Sequence, residues 1–185
     1  MVLAEVALLP AMACRQLDAL DEMLAAVGYV ENEMAREGTL ELAGRVVQRL
    51  STTNAPVAIP GVANAPRLLR ALWPRLWPEA RATFSLRTVF AYESLDAVAA
   101  LKVAVFPDEL RLRWRGYPNV DASAPLSGPA SRWFAGDTSP QFERLLRANL
   151  EKLPGDFSVL ARVERLVDRL ERLNAGHGTV SDALV

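Results

Sequence analysis

The sequence predicts an α+β protein: a small β-sheet with flanking helices, followed by a C-terminal helical hairpin. Three observations carry this. "FSLRTVF" (84–90) alternates Phe84, Leu86, Thr88 and Phe90 with Ser85, Arg87 and Val89, and "ALKVAVF" (100–106) is a short apolar run; both suit strands. Apolar residues recur at helical spacing before and between these runs. Beyond residue 131, two long segments keep the helical period and no strand pattern returns.

The start, "MVLAEVALLPAMACRQ", is apolar, lacks a basic flank and is too short for a membrane span, so it reads as a buried first strand or helix rather than a signal peptide. From Gln16 to Val27, Leu17, Leu20, Leu24 and Val27 share a helical face, with acidic residues near the first turns and Gly28 as the stop. A second helix is expected over Thr39–Leu50, with Thr39 as cap and a stripe of Leu40, Ala43, Val46, Val47 and Leu50. These two helices are expected to pair. Pro56, Pro60 and Gly61 exclude a helix around Val57–Ile59, which is assigned to a brief strand. Asn64 is the expected cap of the next helix, with Pro66 in its first turn and Leu68, Leu69, Leu72 and Leu76 following.

Pro74 lacks the N–H that would bond Arg70, so this helix must end, kink or restart, and Pro78 opens a further turn. Trp73 and Trp77 stand beside these prolines, with Arg70, Arg75 and Arg81 nearby. Core packing, a partner surface and nucleic-acid stacking are all compatible with that arrangement. Leu69, Leu72 and Leu76 at the same turns favour the core.

"PDELRLRWRGY" (107–117) has two readings. As a strand it places Leu110, Leu112 and Trp114 opposite Arg111, Arg113 and Arg115. As a helix from Pro107 it gains Asp108 and Glu109 in the first turn, a Glu109–Arg113 pair and Gly116 as stop, and this accounts for more residues. The small, Pro/Gly-containing stretch 122–131 is expected to link a core domain (1–121) to the hairpin (132–174), with a flexible tail at 175–185. Ser139 and Pro140 open the first hairpin helix over Phe142, Leu145, Leu146, Leu150 and Leu153. The second carries Leu160, Val163, Leu166, Val167, Leu170 and Leu173 beside Glu164, Arg165, Asp168, Arg169, Glu171 and Arg172. Trp133–Phe134 is the anchor that docks the hairpin.

The chemistry-bearing residues are few. Lys and Arg number 21 against 22 Asp and Glu, a formal net charge of -1, so no global positive field draws in a polyanion. Cys14 is the only cysteine, which excludes an intramolecular disulfide and a thiolate cluster within one chain, and a reducing cytoplasm is the expected compartment. The sole histidine, His177, lies between glycines with no second histidine or cysteine to complete a zinc set. Neither GxxxxGK[ST] nor GxGxxG occurs, and Asp21/Glu22 and Asp108/Glu109 are explained by first-turn dipole effects. A non-enzymatic protein without cofactor or metal is expected.

The order "APVAIPG", "LLRALWPRLWPEARATFSLRTVF", "LKVAVFPDELRLRWRG", then a linker and a helical hairpin, resembles the N-terminal domain of GTPase-associated proteins of bacterial conflict (anti-invader) systems. The resemblance spans roughly Ala55 to Gly116, about a third of the chain, and departs from the family at the N-terminus, where no family-like first strands are recognisable. It implies an accessory or adaptor module in a system built around a GTPase and an effector, and it carries over no catalytic residue. The expected function is therefore a non-enzymatic adaptor that binds another protein of the same system, without contact to a membrane. The expected partner surface comprises Arg111, Arg113, Trp114 and Arg115 together with Arg165 and Arg169 on the hairpin. The alternative is a nucleic-acid-contacting subunit of a CRISPR-like defence complex that uses the local Arg–aromatic stretches.

Overall fold

The computed structural model describes residues 38–91, 98, 100–120 and 125–174. The apolar start, the helix expected over Gln16–Val27 with its pairing, and the 175–185 tail lie outside these residues. β1 (Val57–Pro60), β2 (Leu86–Thr88) and β3 (Val103–Phe106) form one sheet in the order β1-β3-β2. Both pairings are parallel, with Val57 and Leu86 aligned on Val103. β3 is buried on both faces, as its unbroken apolar run requires.

Side chains alternate across the sheet. Val57, Ile59, Val103 and Val105 enter a large core shared with six helices: α1 (Thr39–Leu50), α2 (Asn64–Leu72), α3 (Pro78–Thr83), α4 (Pro129–Phe134), α5 (Pro140–Asn149) and α6 (Val159–Asn174). Ala58, Ala104 and Phe106 enter a second core on the opposite face, with Val89, Val98, Trp114 and Tyr117. The expected α+β architecture with a C-terminal helical hairpin, α5 and α6, is present. Two caps differ from expectation. Gly38, at φ 80°, takes the cap position before Thr39, and Ala63 takes it before Asn64, whose amide nitrogen instead donates to the Pro60 carbonyl at 2.8 Å.

The Trp–Pro stretch is a broken helix laid over the large core. α2 ends at Leu72, a single 3-10 turn covers Trp73–Arg75, Leu76 and Trp77 are extended, and α3 starts at Pro78. Trp73 is 3% and Trp77 0% exposed. The Trp77 indole N–H donates to the Pro154 carbonyl at 2.7 Å and its ring packs 5.5 Å from Phe157, so the break seats the hairpin loop. Buried Arg81 donates to the Leu76 carbonyl at 2.8 Å, satisfying an acceptor that the break removes from the helical ladder.

The helix expected over 107–116 does not form. Asp108–Leu110 makes one 3-10 turn, and turns follow to Gly116. Tertiary packing overrides the local pattern: Trp114 stacks on Phe106 at 5.1 Å with the rings 6° from parallel, and Tyr117 closes on Trp114 at 4.6 Å. The chain then returns beside β1, where the Ala58 N–H donates to the Pro118 carbonyl at 2.9 Å.

The end of the stretch expected as linker is packed. Pro129, Ala130 and Ser131 are the buried start of α4, which lies against α1. A Cβ added at Gly44 of α1 would stand 2.4 Å from the Ser131 carbonyl oxygen and 2.8 Å from the Ala135 Cβ. Small residues here let two helices approach closely. The large core includes residues from Ala43 to Val167.

Candidate functional site

The six residues expected on a partner surface fall in two places. Arg165 and Arg169 lie on α6, whose sequence "VERLVDRLERL" (163–173) sorts into four rows at helical spacing. Val163 and Val167 face the core. Glu164, Asp168 and Glu171 form an acidic row, Arg165, Arg169 and Arg172 a basic row that Arg162 extends, and Leu166, Leu170 and Leu173 an apolar row between the arginines and the valines. Leu166 is 46% and Leu170 38% exposed, although periodicity alone assigns both to the core.

The acidic row begins with an inward task. Glu164 accepts the Ala130 backbone N–H at 2.9 Å, capping α4 from another helix. Gly128, at φ 85°, permits this approach, since a Cβ there would lie 2.3 Å from the Glu164 carboxylate. Burial raises the Glu164 pKa above the ordinary glutamate range, with Asp168 adding to the rise and the Ala130 N–H and Arg132 opposing it. On the other flank, Arg162, Arg165 and Arg172 are exposed and make no ion pair among the described residues. α6 therefore presents leucines and arginines outward together.

Arg111, Arg113 and Arg115 are exposed on the segment that covers the second core. Trp114 does not join them, which corrects its place in the expected surface: it is 0% exposed and belongs to the stack with Phe106 and Tyr117. Leu112, 78% exposed, is the apolar side chain at that surface. Arg111 separates from its neighbours and lines a crevice with Arg45 and Asn64. Sequence reasoning missed Arg45 and Asn64 as site residues. The exposed leucines were visible only as an apolar stripe too wide for one buried face.

An open polar basin of about 690 Å3, between Arg132, Asp137, Ser139, Arg144 and Glu171, brings charges of both signs together without a buried nucleophile or base. Among the described residues no three side chains of His, Cys, Asp or Glu converge as metal ligands, and no helix is long and apolar enough to cross a membrane. Trp133 packs near Phe142 at 5.8 Å, under the Arg75 guanidinium at 5.8 Å, and so anchors α4 to α5.

Fold and surface together define an α+β protein with a parallel three-stranded sheet and a C-terminal helical hairpin that exposes a leucine–arginine face. Comparison with family models, curated proteins and solved structures finds no match.

Proposed function

We propose that this protein is a non-enzymatic adaptor of a bacterial multi-component defence system, bound to another protein of that system through α6. The observation that carries the reading is the exposed Leu166–Leu170 row beside Arg162, Arg165 and Arg172 on a long, well-packed helix. Exposed apolar residues aligned beside a basic row suit a partner segment that offers apolar side chains flanked by carboxylates. The resemblance of Ala55–Gly116 to GTPase-associated proteins of conflict systems supplies the biological setting. The nucleic-acid alternative loses its stacking platform, since Trp73, Trp77 and Trp114 are buried.

The test is affinity capture of the tagged chain from its native host, with nuclease, at low and high salt, in parallel with a Leu166→Asp, Arg165→Glu double variant. A protein partner retained by the native chain and lost by the variant supports the adaptor reading. Retention by both removes α6 from the interface. Recovery of nucleic acid that disappears at high salt puts the alternative first.

A further inference from the structure

We propose that the crevice beside the carboxyl end of β1 binds a small molecule bearing an oxyanion, a carboxylate or a phosphate, with Arg111 as its anchor. This site is separate from α6 and does not depend on the adaptor reading.

The topology creates the crevice. β1 and β3 are adjacent and parallel, and the chain leaves them towards opposite faces. After β1 it enters α2, whose Ala65, Leu68, Ala71 and Leu72 pack in the large core. After β3 it enters 107–117, whose Leu110, Trp114 and Tyr117 pack in or against the second core. The crevice opens beside the carboxyl end of β1, where Ile59 and Pro60 meet Val120, the start of α1 and Arg111 from the segment after β3. It is a cavity of about 200 Å3. That is below the ordinary range for drug-sized ligands, so the occupant is small.

The lining selects the chemistry. Arg45 enters from α1, Asn64 from α2 and Arg111 from the segment after β3, over a floor of Ile59 and Leu42. Glu41 also lines the cavity but is already bonded to Arg45, and of that pair the guanidinium is the more enclosed, its side chain 12% exposed against 56%. Arg111 makes no ion pair among the described residues, which leaves its planar fork for a carboxylate or phosphate. The rim is held in place: Gly61 turns out of β1 at φ 85°, its N–H donates to the Phe106 carbonyl at 2.8 Å, and Asn64 is tied to Pro60. A Cβ at Gly61 would meet the Asn64 amide nitrogen at 2.9 Å and the Asp108 carboxylate at 3.5 Å.

The experiment is a titration of the full isotopically labelled chain, followed by amide NMR, with inorganic phosphate and separately with succinate, chloride holding the ionic strength constant. Saturable shifts confined to Ile59, Gly61, Asn64 and Arg111 are expected. Arg111→Ala should weaken them by about tenfold or more, the scale of a lost charge-assisted contact, with Arg111→Lys intermediate and Arg165→Ala unchanged. Saturation by one probe alone assigns the group as phosphoryl or carboxyl. Shifts that do not saturate, that spread over the exposed arginines, or that persist unchanged in Arg111→Ala overturn the proposal. Arg111 is exposed, and the amide spectrum itself reports whether each variant is folded.

Discussion

The two faces of the sheet are covered by different means. One lies under helices, where, among the described residues, 26 buried residues from the helices, two strands and their loops share the large core. The other core has seven among the described residues, centred on Phe106, Trp114 and Tyr117, with Trp114 and Tyr117 contributed by a single segment without regular structure beyond one 3-10 turn. A distributed core spreads the effect of losing one side chain, whereas a concentrated one rests on a single aromatic stack. The comparison also explains the surfaces: α6 can leave leucines outside because its valines suffice to hold it, while the 107–117 segment must place its tryptophan inside to stay in position.

The sharpest way to break the comparison is Trp114→Ala, which should cost about 3–5 kcal/mol by removing a fully buried aromatic. Hydrogen exchange should then show loss of protection first in the strands and turns around Phe106 and Tyr117, with α1, α4 and α6 retaining theirs. Uniform loss across both faces would show that the two cores unfold as one. A smaller effect, about 1–3 kcal/mol, is expected for Gly44→Ala, because the added methyl meets the Ser131 carbonyl where α1 and α4 touch. Urea unfolding should report it as a lower midpoint, and a midpoint raised by the better helix former would show that the helices can separate freely.

The smallest effect concerns pH. Burial raises the folded pKa of Glu164, so the folded state holds that proton more tightly than the unfolded chain. The contribution to stability is full below the unfolded value, about 4.3, and is lost as pH rises through the folded pKa. Glu164→Gln keeps an acceptor for the Ala130 N–H and removes the charge. Its melting temperature relative to the native chain should therefore rise from acid to neutral pH, by the equivalent of under about 1 kcal/mol for a partly exposed side chain. A flat difference would show that capping of α4 outweighs burial. Asp156 acts in the opposite sense: its pKa is held low chiefly by the Ser158 backbone N–H, so its contribution is lost as pH falls through that lowered value.

Where local signals agreed with packing, the sequence was readable. Pro74 and Pro78 dictate the broken helix whatever surrounds it, and Val103–Phe106 is apolar at every position because β3 is the central strand. The leucine and valine periods of α5 and α6 disclose the hairpin. Three features depended on distant partners and stayed hidden. The 107–116 charges satisfy a helix pattern, but Phe106 captures Trp114. Gly128, Pro129, Ala130 and Ser131 have the composition of a linker because α1 and Glu164 come close to them, a requirement invisible without Gly44 and α6 in view. Of the candidate site residues, the exposed arginines were identifiable individually. The grouping of Arg111 with Arg45 arises from strands 57–60 and 103–106 lying side by side, which no spacing along the chain announces.

The strand order carries a consequence for how the chain is made. Among the described strands, β1 and β2 are synthesised first and do not pair with each other; both pair with β3, the last of the three. Among the described residues, both pairings of the sheet therefore require Val103–Phe106 to lie between the two earlier strands. Assembly of this sheet therefore depends on contacts between residues far apart in the sequence, which topology makes slow to form.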